Sequence, residues 1–382
     1  MTPKPLSNAV HKGFAYLIRQ QHAEGGWSQG GGWRTAQDGG RVEGPDVQDP
    51  PDVANTCVAT MALLRGGHTP RSGEYAPNVT RALDFIMGNV ERADNDSPFV
   101  TDQRGTQVQT KIGPYADTFL TSLTLAEAKG QMPSEESERR LEVALNKTVG
   151  KMQRHQQADG TWTMHGWAPV VGQALGTVGL NRAKQRGAAV SDEALERSEK
   201  YSRDQYDPGS KSFRMDGSAG VPLYASASHL SSTSHSVVNF KIAKDKLRAV
   251  VGSAKASHEE QAKAQEKLKN IEDAEASQEA SLADSYAYFK DEHYRQGFGS
   301  NGGEEFLSYL NISETLVVKG GPEWEEWDKS MTENLERIQN GDGSWSGHHC
   351  ITGRTFCTAT ALLVLLADRV PRAEPAPAAV NV

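Results

Sequence analysis

Apolar positions along the chain fall into two kinds of helical segment that alternate. The first kind is amphipathic. In 6–22, Phe14, Leu17 and Ile18 recur at helical spacing, and in 74–91 Ala82, Phe85, Ile86 and Val90 do the same. Segments 134–156, 191–204, 281–292 and 322–340 share this character. The second kind is rich in small residues and almost uncharged: 52–66, 115–129, 166–186, 223–240, 304–319 and 350–368. A helix that is apolar all round is buried on all sides. Six buried helices ringed by six amphipathic ones predict an all-α chain, an (α/α)6 toroid of six helix pairs within one domain, 1–370. Three of the buried segments align without gaps: Asn55-Thr-Cys-Val-Ala-Thr-Met-Ala-Leu, Asp117-Thr-Phe-Leu-Thr-Ser-Leu-Thr-Leu and Arg354-Thr-Phe-Cys-Thr-Ala-Thr-Ala-Leu.

Boundary signals agree with this reading. Ser7, Ser134 and Ser191 sit at N-cap positions, Asp52 follows Pro50-Pro51, and Pro322 suits a first turn. A Gly-rich loop runs from Glu24 to about Pro51. Residues 241–280 break the pattern, being rich in Lys, Glu, Ala and Gln. They read as a charged helical hairpin inserted in the domain, turning near Gly252. Such a hairpin is a solvated extension or a surface for a protein partner. The Pro/Ala-rich tail, 371–382, is predicted to be disordered.

Composition narrows the function classes. The net charge of −8 over 382 residues argues against nucleic acid as partner. No run of 18 apolar residues exists, so no transmembrane helix is expected. Met-Thr-Pro-Lys-Pro lacks the apolar stretch of a signal peptide, which leaves a cytoplasmic protein, or a periplasmic or secreted one whose leader was replaced. Cys57, Cys350 and Cys357 do not form a disulfide framework and read as small hydrophobes.

One motif recurs. Gln21-x-x-x-Gly25-x-Trp27 returns as Gln156-x-x-x-Gly160-x-Trp162 and as Gln339-x-x-x-Gly343-x-Trp345. With Lys12-Gly13-x-x-Tyr16-Leu17 before the first copy, it resembles the QW repeat of squalene-hopene cyclases and the related repeat of prenyltransferase β-subunits. The closing segment, Asn301 to Thr358, is similar to uncharacterised bacterial prenyltransferase/squalene oxidase repeat proteins. The resemblance implies the toroid fold and leaves the activity open, because such toroids serve terpene cyclisation, protein prenylation and non-catalytic roles. The chain departs from the catalytic members. The cyclase acid motif Asp-x-Asp-Asp is missing, Asp94-Asn95-Asp96 being followed by Ser97, and there is no Asp-x-Cys zinc pair.

In such a ring the loops leading from outer to inner helices open at one end, where inner-helix N-termini converge. Asp52, Tyr115, Asp117, His165, Trp167, Tyr224, Glu304, Glu305, Tyr309, His348, His349, Cys350 and Arg354 occupy that mouth. Asp117, Glu304, Glu305, Tyr309 and Arg354 are the candidate catalytic residues. Glu304 and Glu305 could work as acid and base. Asp117 and Arg354, at one repeat position, could pair across the pore or clamp an anionic substrate. His349, Cys350 and Asp52 are the candidate metal ligands, with Glu304 or Glu305 as the alternative to Asp52 in completing the shell, their donor types being those of a catalytic zinc. Each has a structural alternative, as helix cap or loop packing. Two functions stay open: a binding or scaffold protein holding a small or polymeric ligand in the mouth, or a zinc-assisted enzyme acting on a polyprenyl or polysaccharide.

Overall fold

The computed structural model describes residues 2–35, 41–44, 49–163 and 165–371. In order these form α1 (Asn8–Gln20), β1 (Gly32–Thr35), β2 (Arg41–Gly44), α2 (Val53–Arg65), α3 (Ala76–Arg92), α4 (Gln107–Ile112), α5 (Ala116–Ala128), α6 (Glu135–His155), α7 (Pro169–Gln185) and α8 (Asp192–Arg203). There follow β3 (Tyr206–Asp207), β4 (Ser212–Phe213), α9 (Pro222–Val251), α10 (His258–Lys290), α11 (Glu292–Arg295), α12 (Gly303–Lys319), α13 (Pro322–Ile338) and α14 (Arg354–Leu365). The strands make two small antiparallel hairpins, so the chain is all-α in class.

The two kinds of helix separate as their patterns dictate. Every residue of α2 and of α5 is buried, as are Val170–Ala183 of α7, Gly303–Val317 of α12 and Thr355–Leu365 of α14. These helices and α9 pack in order, α2 on α5, then α7, α9, α12 and α14, and α14 packs back on α2. The amphipathic helices α1, α3, α6, α8, α10 and α13 lie against them, each burying one face. The inner helices tolerate many hydroxyls partly because a number of them bond a carbonyl one turn back. Thr60 donates to Thr56, Thr124 to Leu120 and Thr360 to Phe356, at 2.7–2.9 Å. These hydroxyls are thus satisfied within their own helix, while the small side chains permit close packing.

The recurring motif is a staple between consecutive outer helices. In all three copies the Trp indole donates to a carbonyl ten residues earlier: Trp27 to Leu17, Trp162 to Met152 and Trp345 to Leu335, at 2.7–2.9 Å. The Gln side chain bridges its own loop and the next helix. Gln21 reaches Gly25 and Asn78, Gln156 reaches Gly160 and Ala194, and Gln339 reaches Gly343 and Ala9. The last of these ties α13 to α1, the end of the chain to its beginning.

The charged 241–280 stretch forms the helical hairpin expected: the end of α9 and the larger, first part of α10, two long helices that turn at Gly252. Between Pro222 and Val251 no Gly or Pro interrupts α9, so the inner helix simply runs on beyond its neighbours. Ala264, Ile271 and Ala274 of α10 stay buried, and Lys244–Glu275 bridges the two helices at 2.5 Å. The loop expected before Gly113 contains the short helix α4, capped by the Thr106 side chain. The last inner helix starts at Arg354, so His349 and Cys350 belong to the preceding loop. The predicted disordered tail lies outside the described residues beyond Pro371.

The C-terminal ends of the inner helices hold a buried charge network. Arg65 Nη2 lies 2.6 Å from Glu127 and 2.7 Å from Glu314. Arg182 and His235 approach the other Glu314 oxygen at 3.3 and 3.2 Å. Burial opposes the Glu314 charge, but Arg65, His235 and Arg182 overcome it and hold this carboxyl below the usual range.

Candidate functional site

The N-termini of the inner helices share the opposite end. Backbone bonds tie their entry loops together: Trp167 N–H to Lys111 O, Val170 to Gly217, Gly303 to Ile351 and Thr355 to Gln29, at 2.9–3.1 Å. Two clusters of side chains form within this end.

The first joins the start of α12 to the loop before α14. α12 and α14 pack on each other, so residues some 45 positions apart in sequence meet. Glu304 and Glu305 are fully buried in the first turn of α12. Glu305 Oε1 accepts from the Tyr224 hydroxyl and, at 3.0 Å, from the Phe298 N–H. Its Oε2 lies 3.2 Å from His349 Nε2, which donates in better alignment to the Ser300 carbonyl at 2.7 Å. Glu304 Oε2 accepts from the Ile351 N–H at 3.3 Å. Cys350 adopts a left-handed conformation, φ 49°, and its carbonyl accepts from Gln107 of α4 at 2.6 Å. One ligand atom each from Glu304, His349 and Cys350 falls within 4.8 Å of the others. Glu304 Oε1, Glu305 Oε2 and His349 Nδ1 are buried without a hydrogen-bond partner, the Glu305 Oε2 contact to His349 being an ion pair.

Electrostatics in this cluster are strained. Burial and then the neighbouring Glu305 push Glu304 up to about 7. Burial works against the His349 imidazolium, but the Cys350 and Glu305 side chains outweigh it and raise the group to about 11. Burial and Glu305 drive Tyr224 and Tyr309 upward, so both hydroxyls stay protonated donors. Tyr309 donates to the Arg295 carbonyl and stands 3.3 Å from Asn301.

The second cluster is an acid pair. Asp52 caps α2, its two oxygens accepting from the Asn55 N–H at 2.8 Å and the Asn55 side chain at 2.7 Å. Asp117 accepts from the Ala54 N–H at 3.0 Å and from Gln109 at 2.6 Å. Burial, followed by Asp117, lifts Asp52 to about 7, and burial raises Asp117 as well.

Five of the predicted residues therefore come together, Tyr224, Glu304, Glu305, His349 and Cys350, and Tyr309 is bonded to the adjoining 295–301 loop. Two expectations are corrected. Asp52 does not complete the His349–Cys350 set, because its cap to Asn55 uses both oxygens; Glu304 takes that place. Arg354 does not pair with Asp117. It lies 2.9 Å from Asp342 in its own staple loop and is partly exposed, because α2 separates α14 from α5. His348 is exposed. Sequence reasoning missed Gln107 and Gln109, since α4 read as loop. It also missed the Arg65 network, whose signal was present as single charges in otherwise uncharged helices.

At the outer rim, Phe298 packs edge-on against His349 and Trp167, at 5.4 and 5.3 Å between ring centroids. Trp167 is 39% exposed and Phe298 50%, so both rings face solvent beside the cluster. Lys111 Nζ stands 5.0 Å from the Trp33 ring centre and 6.0 Å from that of Trp167.

No family model matches the chain, and neither does any curated protein. Among solved structures, its fold is similar to that of a novel alpha-amylase from Clostridium perfringens. The TM-score is 0.53 at 9% identity, over 96% of this chain and 99% of that one. The likeness is one of fold. No helix among the described residues is long and apolar enough to cross a membrane.

Proposed function

We propose that the chain is a zinc-assisted enzyme acting on a polysaccharide at the mouth of an (α/α)6 toroid. The closed order of inner-helix packing and the three identical staples support the toroid and its kinship with the QW-repeat superfamily. The observation that carries the enzyme reading is the Glu304–His349–Cys350 donor set, in which Glu304 Oε1 and His349 Nδ1 are buried and orphaned, as is Oε2 of the adjoining Glu305. Leaving such groups unpaired costs about 1–3 kcal/mol each, a cost a bound cation would remove. Carboxylate, imidazole and thiolate are zinc's ligand types, and three protein ligands leave one position open, as in catalytic sites. This set moves the balance away from a pure binding or scaffold role.

When bound, zinc would supply a Lewis acid for a substrate oxygen or water. The chain's own residues hold and shape the site. Ser300 and Glu305 orient His349, Tyr224 and the Phe298 N–H hold Glu305, and Gln107 fixes the Cys350 carbonyl. Trp167 and Phe298 offer exposed aromatic faces for a sugar ring. The groups around the cluster are carboxylates, hydroxyls and amides, which suit a hydroxyl-rich polymer better than an isoprenoid chain. The fold-level likeness to an alpha-amylase points the same way.

Metal analysis of the purified protein is the test. About one zinc per chain is expected, lost in His349→Ala and Cys350→Ala. Absence of stoichiometric metal returns the chain to the scaffold reading. Zinc-loaded protein that releases no reducing ends from soluble starch or other glucans removes the polysaccharide.

A further inference from the structure

We infer that His349 ligates the metal through Nδ1, and that Glu305 is the positioning residue that holds its imidazole for that purpose. The inference rests on the zinc reading above and adds the ligating atom and its support.

The two ring nitrogens have unlike surroundings. Nε2 faces two oxygen acceptors, the Ser300 carbonyl at 2.7 Å and Glu305 Oε2 at 3.2 Å. Between two acceptors a ring nitrogen must carry its proton, and a protonated nitrogen cannot ligate a metal. Nδ1 is buried and has no hydrogen-bond partner. It is the nitrogen left for an ion shared with Glu304 and Cys350.

Glu305 is built to serve His349 rather than the ion. Both donors on its Oε1, the Tyr224 hydroxyl and the Phe298 N–H, come from elements outside α12 and anchor the carboxylate from one side. Its Oε2 is thereby turned to His349. Two glycines leave room for this arrangement. A Cβ at Gly297 would stand 2.4 Å from Glu305 Oε1, and one at Gly302 would stand 2.9 Å from both Glu305 Oε2 and His349 Cε1. Gly297 is also at φ 60°, where a side chain is strained. A carboxylate behind a ligating histidine fixes ring orientation and raises ligand basicity.

Glu305→Gln is the informative change, since it keeps size and removes charge. Its carbonyl oxygen is required by Tyr224 and Phe298, so its amide N–H₂ must face Nε2. That sets donor against donor beside Nε2, whose proton the Ser300 carbonyl still accepts, and removes the negative charge behind the ring that raises ligand basicity. Zinc affinity, measured by competition with a chromophoric chelator, should fall about 10- to 100-fold. Tyr224→Phe loosens Glu305 without removing its charge and should fall less. A second readout needs no variant: protein loaded with cadmium-113 and labelled with nitrogen-15 at histidine should show metal coupling to Nδ1 of His349. Coupling to Nε2, or equal zinc affinity in Glu305→Gln and wild type, overturns the inference and leaves the metal site standing. Wild type that binds neither zinc nor cadmium overturns both.

Discussion

Gly343 is where the staple can be tested most directly. It has φ 92°, and a Cβ there would stand 2.4 Å from the Lys12 carbonyl oxygen and 2.8 Å from its carbon. Both are backbone atoms of α1, so no rotamer change relieves the clash. Gly343→Ala therefore carries two costs. Backbone strain at positive φ is about 1–3 kcal/mol. Displacing α1 from α13 is an overpacking cost of about 1–3 kcal/mol. Gly130 separates them. It has φ 85° but nothing within 4 Å of a built Cβ, so Gly130→Ala carries only the strain. The gain from a stiffer unfolded chain, about 0.4–1 kcal/mol, is common to both. Urea denaturation followed by far-ultraviolet circular dichroism should show Gly343→Ala less stable than Gly130→Ala by about 1–3 kcal/mol. The same clash exists at Gly25 against Arg81 and at Gly160 against Arg197, so both should behave as Gly343 does. If Gly343→Ala and Gly130→Ala agree within about 0.5 kcal/mol, the staple does not set helix spacing, and the argument for its recurrence is wrong.

Two further outcomes test the interior. Arg65→Met should cost about 3–5 kcal/mol in the same assay, because Glu127 and Glu314 lose a buried partner. Adding Glu127→Gln should recover part of that loss, and strict additivity of the two would show that the network is not coupled. Asp52 gives a pH dependence. Its folded value is raised from 3.8 to about 7, so the folded state holds the extra proton between those limits. Stability from this group is complete below about pH 4 and lost as pH rises through about 7, a change on the order of 4 kcal/mol. Asp52→Asn should flatten that stretch and be the more stable protein at pH 8. The unpartnered Asn55 Oδ1 can turn to accept the new amide, so the cap survives. A wild-type profile that is level from pH 4 to 8 would refute the buried-acid account.

Much of the architecture was legible in the chain because it depends on local rules. Period-3.6 patterning separates α1, α3, α6, α8 and α13 from the uniformly apolar α2, α5, α7, α12 and α14, and the observed ends lie within a few residues of the expected ones. Capping at Ser7, Asp52, Ser134 and Ser191 follows from side-chain chemistry in the first turn and is found at each site. The repeated Gln-x-x-x-Gly-x-Trp marks the staples because each is a short-range structure with one fixed reach to the next helix. The hairpin turning at Gly252 was legible too, and its arms continue α9 and α10 without a break. A change of composition along a helix records where burial ends, and not where the helix ends.

The site was legible only as a set of positions. Equivalent repeat positions suggested that Asp117 and Arg354 face each other, yet α2 packs between their helices and they point to different neighbours. Asp52 carried the right donor type for the His349–Cys350 set, and its own cap consumed it. The sequence by itself determined the helices and which of them are buried on all sides. Only the tertiary structure decided that Glu304, Glu305, His349 and Cys350 meet, with Tyr224 brought in from α9. The reason is physical: caps and amphipathic faces are set within a turn or two of chain, whereas a donor cluster depends on which helices become neighbours and which way each buried side chain turns.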